Sequence, residues 1–214
     1  GGAPPTPAIL TRMAELGKTL SPTPGYPSLV RRKLERLYYQ ANRGGVMLVG
    51  FAASLVLLIL AAAMGGGGRS AGAGRRWPRL AGLAVFALTT LLMLAVFIVR
   101  WLIGGRAWYL PPIMNQYEAV FGSILLGALL AMGIELLWPR NYFALAAALY
   151  GAIALLAGLI FPEQMETGIR ALPGILSSPV MAAHVSVIII GHALVGMTLF
   201  ISLAYLGAAA VRGL

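Results

Sequence analysis

Residues 179–200 read PVMAAHVSVIIIGHALVGMTLF, an apolar run without Lys, Arg, Asp or Glu that holds both histidines of the chain, His184 and His192. A run of this length is a membrane span, since roughly 20 apolar residues cross a bilayer. Ionisable side chains inside a span are costly and mark function unless a partner satisfies them.

The whole chain shares its character. Of 214 residues, 59% are hydrophobic and 10% charged, against roughly 25% charged in a soluble domain. The expected fold is therefore all-α, a polytopic membrane helix bundle. The formal charge of +10 does not indicate nucleic acid. The basic residues flank apolar runs, where Lys and Arg set topology and meet anionic lipid. With no cysteine, disulfides and thiolate metal sites are excluded. The opening GGAPPTPAIL has neither an initiator Met nor a signal-peptide pattern, and is expected in a processed polypeptide or a piece of a longer one.

Residues 1–27, rich in Gly, Pro and Thr, lack apolar periodicity and read as an extended or flexible arm. Residues 28–43 place Val30, Leu34, Leu37, Tyr38 and Ala41 at helical spacing among Arg31, Arg32, Lys33 and Arg36. That pattern predicts an amphipathic helix on the membrane surface; the plainer alternative is a solvated helix before the first span. Residues 44–214 form the transmembrane domain, with five spans expected at 46–64, 80–99, 119–138, 142–161 and 180–211. Only Pro139, Arg140 and Asn141 join the third and fourth, which predicts a tight antiparallel hairpin.

Arg69, Arg75, Arg76, Arg79, Arg140 and Arg212 fall on one side of the bundle, and Arg100, Arg106 and Arg170 on the other. The side richer in arginine is expected to be cytoplasmic; counting the N-terminal basic helix reverses that answer. The four Trp, at 77, 101, 108 and 138, sit at span ends as an aromatic belt does. Small residues recur four apart at Gly127 and Ala131, Ala147 and Gly151, Ala154 and Gly158, and Ala204 and Ala208, a spacing that lets helices approach closely in lipid.

No nucleophile elbow, phosphate loop or metal-ligand cluster occurs in the sequence. Glu118 and Glu135 lie in or beside the third span, each near enough to an end to reach headgroups; structural and functional roles stay open for both. His184 lies close to the start of its span. His192 is about 12 Å deeper and turned about 80° around the helix. Two axial nitrogens on one haem iron sit about 4 Å apart on opposite faces, so these histidines cannot share an iron. A bis-histidine site needs a ligand from another polypeptide or from sequence beyond these residues. The alternative is an imidazole hydrogen-bonded to a neighbouring helix.

The segment RWLIGGRAWYLPPIMNQYEAVFGSILL, residues 100–126, resembles a stretch of the CcsA/ResC-type cytochrome c biogenesis proteins, with Arg100, Trp101, Gly105, Pro112, Asn115, Tyr117 and Glu118 as the matching positions. Ser178, His184 and Val185 match that family's Ser-x-x-x-x-x-His-Val segment. The resemblance covers about residues 98–207, and residues 35–38 are similar to the entry of fused ResB–CcsA forms. It implies a membrane haem-handling protein that delivers haem to the outer face for attachment to apocytochrome c at Cys-x-x-Cys-His. In that family the histidine matching His184 is an axial ligand, here to haem b, which puts His184 and the N-terminal arm at the outer face of a bacterial cytoplasmic membrane or organellar equivalent. Three departures stand beside it. Arg106 occupies a position where some members have His. His192 stands where Tyr is common, and is expected to pack against a helix. The family's Trp-rich loop and later histidines would follow Leu214, so enzyme activity stays open. The alternative function is a non-catalytic accessory or scaffold subunit of a respiratory or photosynthetic membrane complex. Expected partners are membrane lipid, other membrane subunits supplying a second haem ligand and, on the first reading, apocytochrome c.

Overall fold

The computed structural model describes residues 7–20, 27–64, 73–107, 109–110, 115–139, 141–163, 165, 168–169 and 178–212. Seven α-helices and no strand occur among them, which is the all-α architecture expected. The chain divides into two compact units, Gly1–Ala41 and Asn42–Leu214.

The first unit holds α1 (Pro7–Leu20) and α2 (Leu29–Gln40). Helix α1 corrects the expectation of an extended arm. Gly, Pro and Thr dominate the composition of residues 1–27, yet Ile9, Met13, Leu16 and Leu20 follow a 4-3-4 spacing that places them on one helical face. Pro7 takes the first helical position, where its missing N–H is no loss. Helix α2 starts at the N-cap Ser28, whose Oγ accepts from Arg31 N at 3.3 Å. Residues 41–42 interrupt it, so Arg43 belongs to the next helix rather than to this one.

The second unit is a five-helix bundle: α3 (Arg43–Ala63), α4 (Ala73–Gly104), α5 (Gln116–Leu137), α6 (Tyr142–Ile160) and α7 (Pro179–Arg212). All five are long and apolar enough to cross a membrane. The largest departure from the expected spans is α4, which extends over the basic residues before it and one further turn after it. Pro78 falls early in that helix, where only one backbone bond is lost. Helix α7 has 34 residues, about 51 Å at 1.5 Å each, well beyond a hydrocarbon core of about 30 Å.

Helix α3 packs against α4 and α6, and α5 packs against α6 and α7. Phe51, Phe86, Met47, Leu58, Met93 and Ile124 form the buried centre. Lipid tails are as apolar as leucine, so close packing and hydrogen bonds between helices hold such a bundle. Ser54 Oγ donates to Gly82 O at 2.9 Å between α3 and α4, and the Ser123 and Tyr150 hydroxyls bond at 2.7 Å between α5 and α6. Two of the small-residue pairs lie at contacts. A Cβ on Gly127 would meet Met197 Sδ at 3.4 Å, and one on Gly151 would meet Phe51 Cδ2 at 3.0 Å. Two tighter approaches fall outside those pairs: a Cβ on Gly196 would lie 2.7 Å from the Tyr150 ring, and one on Gly50 would come closer still to the Thr89 side chain. The side chain of Ala204 lies outside the described residues.

Each span carries the chain to the opposite side. The starts of α3, α5 and α7 therefore share one end of the bundle with the finishes of α4 and α6. The candidate site lies at that end.

Candidate functional site

The first part of the site is made by the turn that leaves α4. Arg100 stands just before the last turn of α4. Gly105, with φ 59°, then takes the left-handed conformation that glycine adopts without steric cost. Gly105 N donates to Leu102 O at 3.2 Å, and Trp101 Nε1 donates to Ala107 O at 3.1 Å, clamping the reversal. The turn brings Arg106 back beside Arg100.

The second part is the start of α5. Asn115 is the N-cap, and its Oδ1 accepts from Glu118 N at 2.7 Å. Glu118 thus sits in the first turn, where the helix dipole favours a negative charge. Its carboxylate is saturated. Oε1 accepts from Arg100 Nε at 2.8 Å and Arg106 Nη2 at 3.0 Å, and Oε2 accepts from Arg106 Nη1 at 2.8 Å. Arg106 therefore grips the carboxylate with both terminal nitrogens, the fork geometry that lysine cannot supply. Glu118 is 1% exposed and Arg100 2%. Arg100 also lies 5.1 Å above the Tyr117 ring and donates from Nη2 to Gly168 O at 3.0 Å. Tyr117 in turn stacks on Phe121.

Of the positions that carry the resemblance, Arg100 and Glu118 meet in the buried node with Tyr117 against them, Asn115 caps the helix that presents Glu118, and Trp101 and Gly105 shape the turn that returns Arg106 to it. Pro112 lies outside the described residues. Reading the sequence missed the role of Arg106. The signal was there: two arginines bracket a glycine turn ahead of Asn-x-x-Glu. The expectation that Glu118 reaches headgroups is corrected, because two guanidiniums hold it inside. A carboxylate with both oxygens engaged is no general base. The node's work is mechanical: it ties the end of α4, the start of α5 and the segment at Gly168 together.

A second node occupies the other end of the same two helices. Asn141 N donates to Glu135 Oε1, and Arg79 donates to Asn141 Oδ1 at 2.7 Å and Pro139 O at 3.1 Å. Arg79 Nη2 is 3.9 Å from Glu135 Oε1, and the buried Glu135 Oε2 has no hydrogen-bond partner among the described residues. Glu135 is also withdrawn from headgroups, at 6% exposed. Asn141 has φ 69° and shapes the α5–α6 hairpin that the short connection predicts.

Neither histidine enters a node. Helix α7 buries Ala182, Ile189, Ala193 and Met197, while His184 and His192 both lie on its exposed surface. His184 makes no hydrogen bond among the described residues. His192 Nδ1–H donates to Ile188 O of its own helix at 2.9 Å. The expectation that His192 packs against a neighbouring helix is therefore corrected: the residues of its helix that do so are the small and apolar ones. No group of three metal-ligating side chains occurs among the described residues. One axial position of a haem fits what is present. His184 offers an uncommitted imidazole, and Val187, Ile188, Gly191 and Val195 supply an exposed apolar wall along the same helix. A Cβ on Gly191 would meet nothing within 4 Å.

Compared with protein-family models, curated proteins and solved structures, the chain matches none.

Proposed function

We propose that this chain is a membrane haem-handling protein of the CcsA/ResC type, with His184 as one axial ligand at the outer face. The observation that carries the reading is His184 itself: a ring in a membrane helix, exposed, without a hydrogen-bond partner among the described residues, beside an apolar wall. An unpaired imidazole in lipid is costly, and a ligand or a partner helix relieves that cost. The motif residues support the reading by a different route, since they converge on one node at the end of the bundle where α7 begins.

Bound haem would supply an iron with axial positions for nitrogen donors. The chain's own part is narrower. His184 holds one nitrogen at the start of α7, and Val187, Ile188 and Gly191 exclude water beside it. The Arg100–Glu118–Arg106 node fixes the end of the bundle from which α7 departs. The second ligand comes from another subunit or segment, and the acceptor is apocytochrome c. On this reading the N-terminal unit joins α3 at the outer face, and Glu135 and Arg79 lie toward the cytoplasm.

The test is a haem spectrum of the protein purified with its natural partners. Wild type and His192→Ala are expected to show a Soret band, and His184→Ala to lose at least about tenfold of it, as for loss of a ligand worth 1.4 kcal/mol or more. Absence of haem from all three, or equal bands in all three, rejects the reading. The second reading, a scaffold subunit, is favoured by the continuous exposed apolar surface of α7. It predicts a partner helix over His184 and no haem.

A further inference from the structure

We propose that α1 is a second membrane-surface helix, whose occupant is the headgroup region of an anionic bilayer. This stands apart from the haem reading and uses neither histidine. At 100° per residue, Ile9, Met13, Leu16 and Leu20 fall within an arc of about 60°. They are 50%, 63%, 58% and 44% exposed, so no described part of the protein covers them. Lys18, Thr11 and Glu15 lie on the opposite face.

A 14-residue helix with its whole apolar stripe in water is marginal, because isolated helices of that length do not repay nucleation. Something must bury the stripe. Three observations select the bilayer. Only Ala41 and Asn42 separate α2 from the first spanning helix, so chain length alone keeps the end of α2 within about 10 Å of the start of that span. At 14 residues the helix is too short to cross a bilayer, and an apolar stripe opposite a charged face is the form that lies in the interface plane. Charge is complementary to anionic lipid: α1 and α2 carry Arg12, Lys18, Arg31, Arg32, Lys33 and Arg36 against Glu15 and Glu35. Within the unit, Arg32 Nη1 reaches Gly17 O at 3.5 Å, which couples the two helices.

The chain has no cysteine, so single cysteines can carry a spin label without background. Each residue from Ile9 to Leu20 is replaced in turn in the full chain, reconstituted in phosphatidylcholine vesicles with and without phosphatidylglycerol. Accessibility to oxygen, which partitions into lipid, is compared with accessibility to a water-soluble nickel chelate. The expected result is an oscillation of helical period, with oxygen maxima at 9, 13, 16 and 20. Met13→Cys should show an oxygen-to-nickel ratio several-fold above that of Lys18→Cys. The ratio at 13 should rise with phosphatidylglycerol and fall back at high salt, as screening requires. A flat profile overturns the proposal. So does a label at 13 shielded from both reagents, which means that protein covers the stripe. A ratio at 13 indifferent to both anionic lipid and salt overturns the choice of an anionic surface.

Discussion

Helices α4 and α5 meet in an arginine–glutamate node at each end, and the two nodes are built to different standards. At one end two guanidiniums occupy both oxygens of Glu118. At the other, Arg79 is bonded to Asn141 and Pro139 and stands 3.9 Å from Glu135, one of whose oxygens is buried without a partner among the described residues. The first carboxylate is held as a charge. The second serves as an acceptor for a backbone N–H at a hairpin. Residue type and burial are alike at the two ends, so the lesson is that neither tells what a buried carboxylate does; its donors do.

The comparison breaks most visibly at Glu118. Glu118→Ala leaves Arg100 and Arg106 buried beside each other without their acceptor, and is expected to cost about 3–5 kcal/mol. Equilibrium unfolding in mixed micelles measures it. Adding Arg106→Leu should recover part of the loss, because the second change removes one stranded charge. If the double variant is as unstable as the sum of the singles, the bidentate pair is not what holds the node.

Glu135 should answer differently. Glu135→Ala strands Asn141 N–H and is expected to cost about 1–3 kcal/mol. Glu135→Gln keeps an acceptor for that N–H while removing a charge that Arg79 meets only at 3.9 Å. It should change stability by less than about 1 kcal/mol. Glu118→Gln, by contrast, puts an amide N–H₂ against a guanidinium and should remain strongly destabilised. Equal losses for the two glutamine variants would erase the distinction between the ends.

The five spans were legible because uninterrupted apolar runs of sufficient length carry their own signal. So was the meeting of Asn115, Tyr117 and Glu118, since an N-cap and its first turn are local in sequence. Arg106 was harder. It lies twelve residues from Glu118, and only the left-handed Gly105 turn brings it back. The second node was illegible, because Arg79 and Asn141 are 62 residues apart and no local pattern links them. Helix α1 was hidden for another reason. The composition around it favours loops, while its signal is a spacing of four apolar residues. His184 and His192 were visible as costly residues, but nothing in the sequence told which face of α7 the bundle would leave open.

The caps sharpen the comparison further, at smaller energies. Asn115 bonds Glu118 N through its side chain, so in the same unfolding measurement Asn115→Ala is expected to cost about 1 kcal/mol and Asn115→Gly only a few tenths.

Asn141 precedes α6 in the same way but makes no side-chain cap bond. Its contribution is split between a bond from Arg79 Nε and a left-handed backbone at φ 69°. Asn141→Ala loses the first and strains the second, where a Cβ costs about 1–2 kcal/mol. Asn141→Gly loses the same bond but relaxes the backbone, so the two terms oppose and the net change should stay within about 1 kcal/mol. The informative quantity is the difference between the two variants, since the lost Arg79 bond cancels from it. A difference near 1 kcal/mol in favour of glycine means that backbone conformation sets the hairpin end. No difference means that Arg79 sets it, and the two ends of the bundle would then be governed by arginine alike.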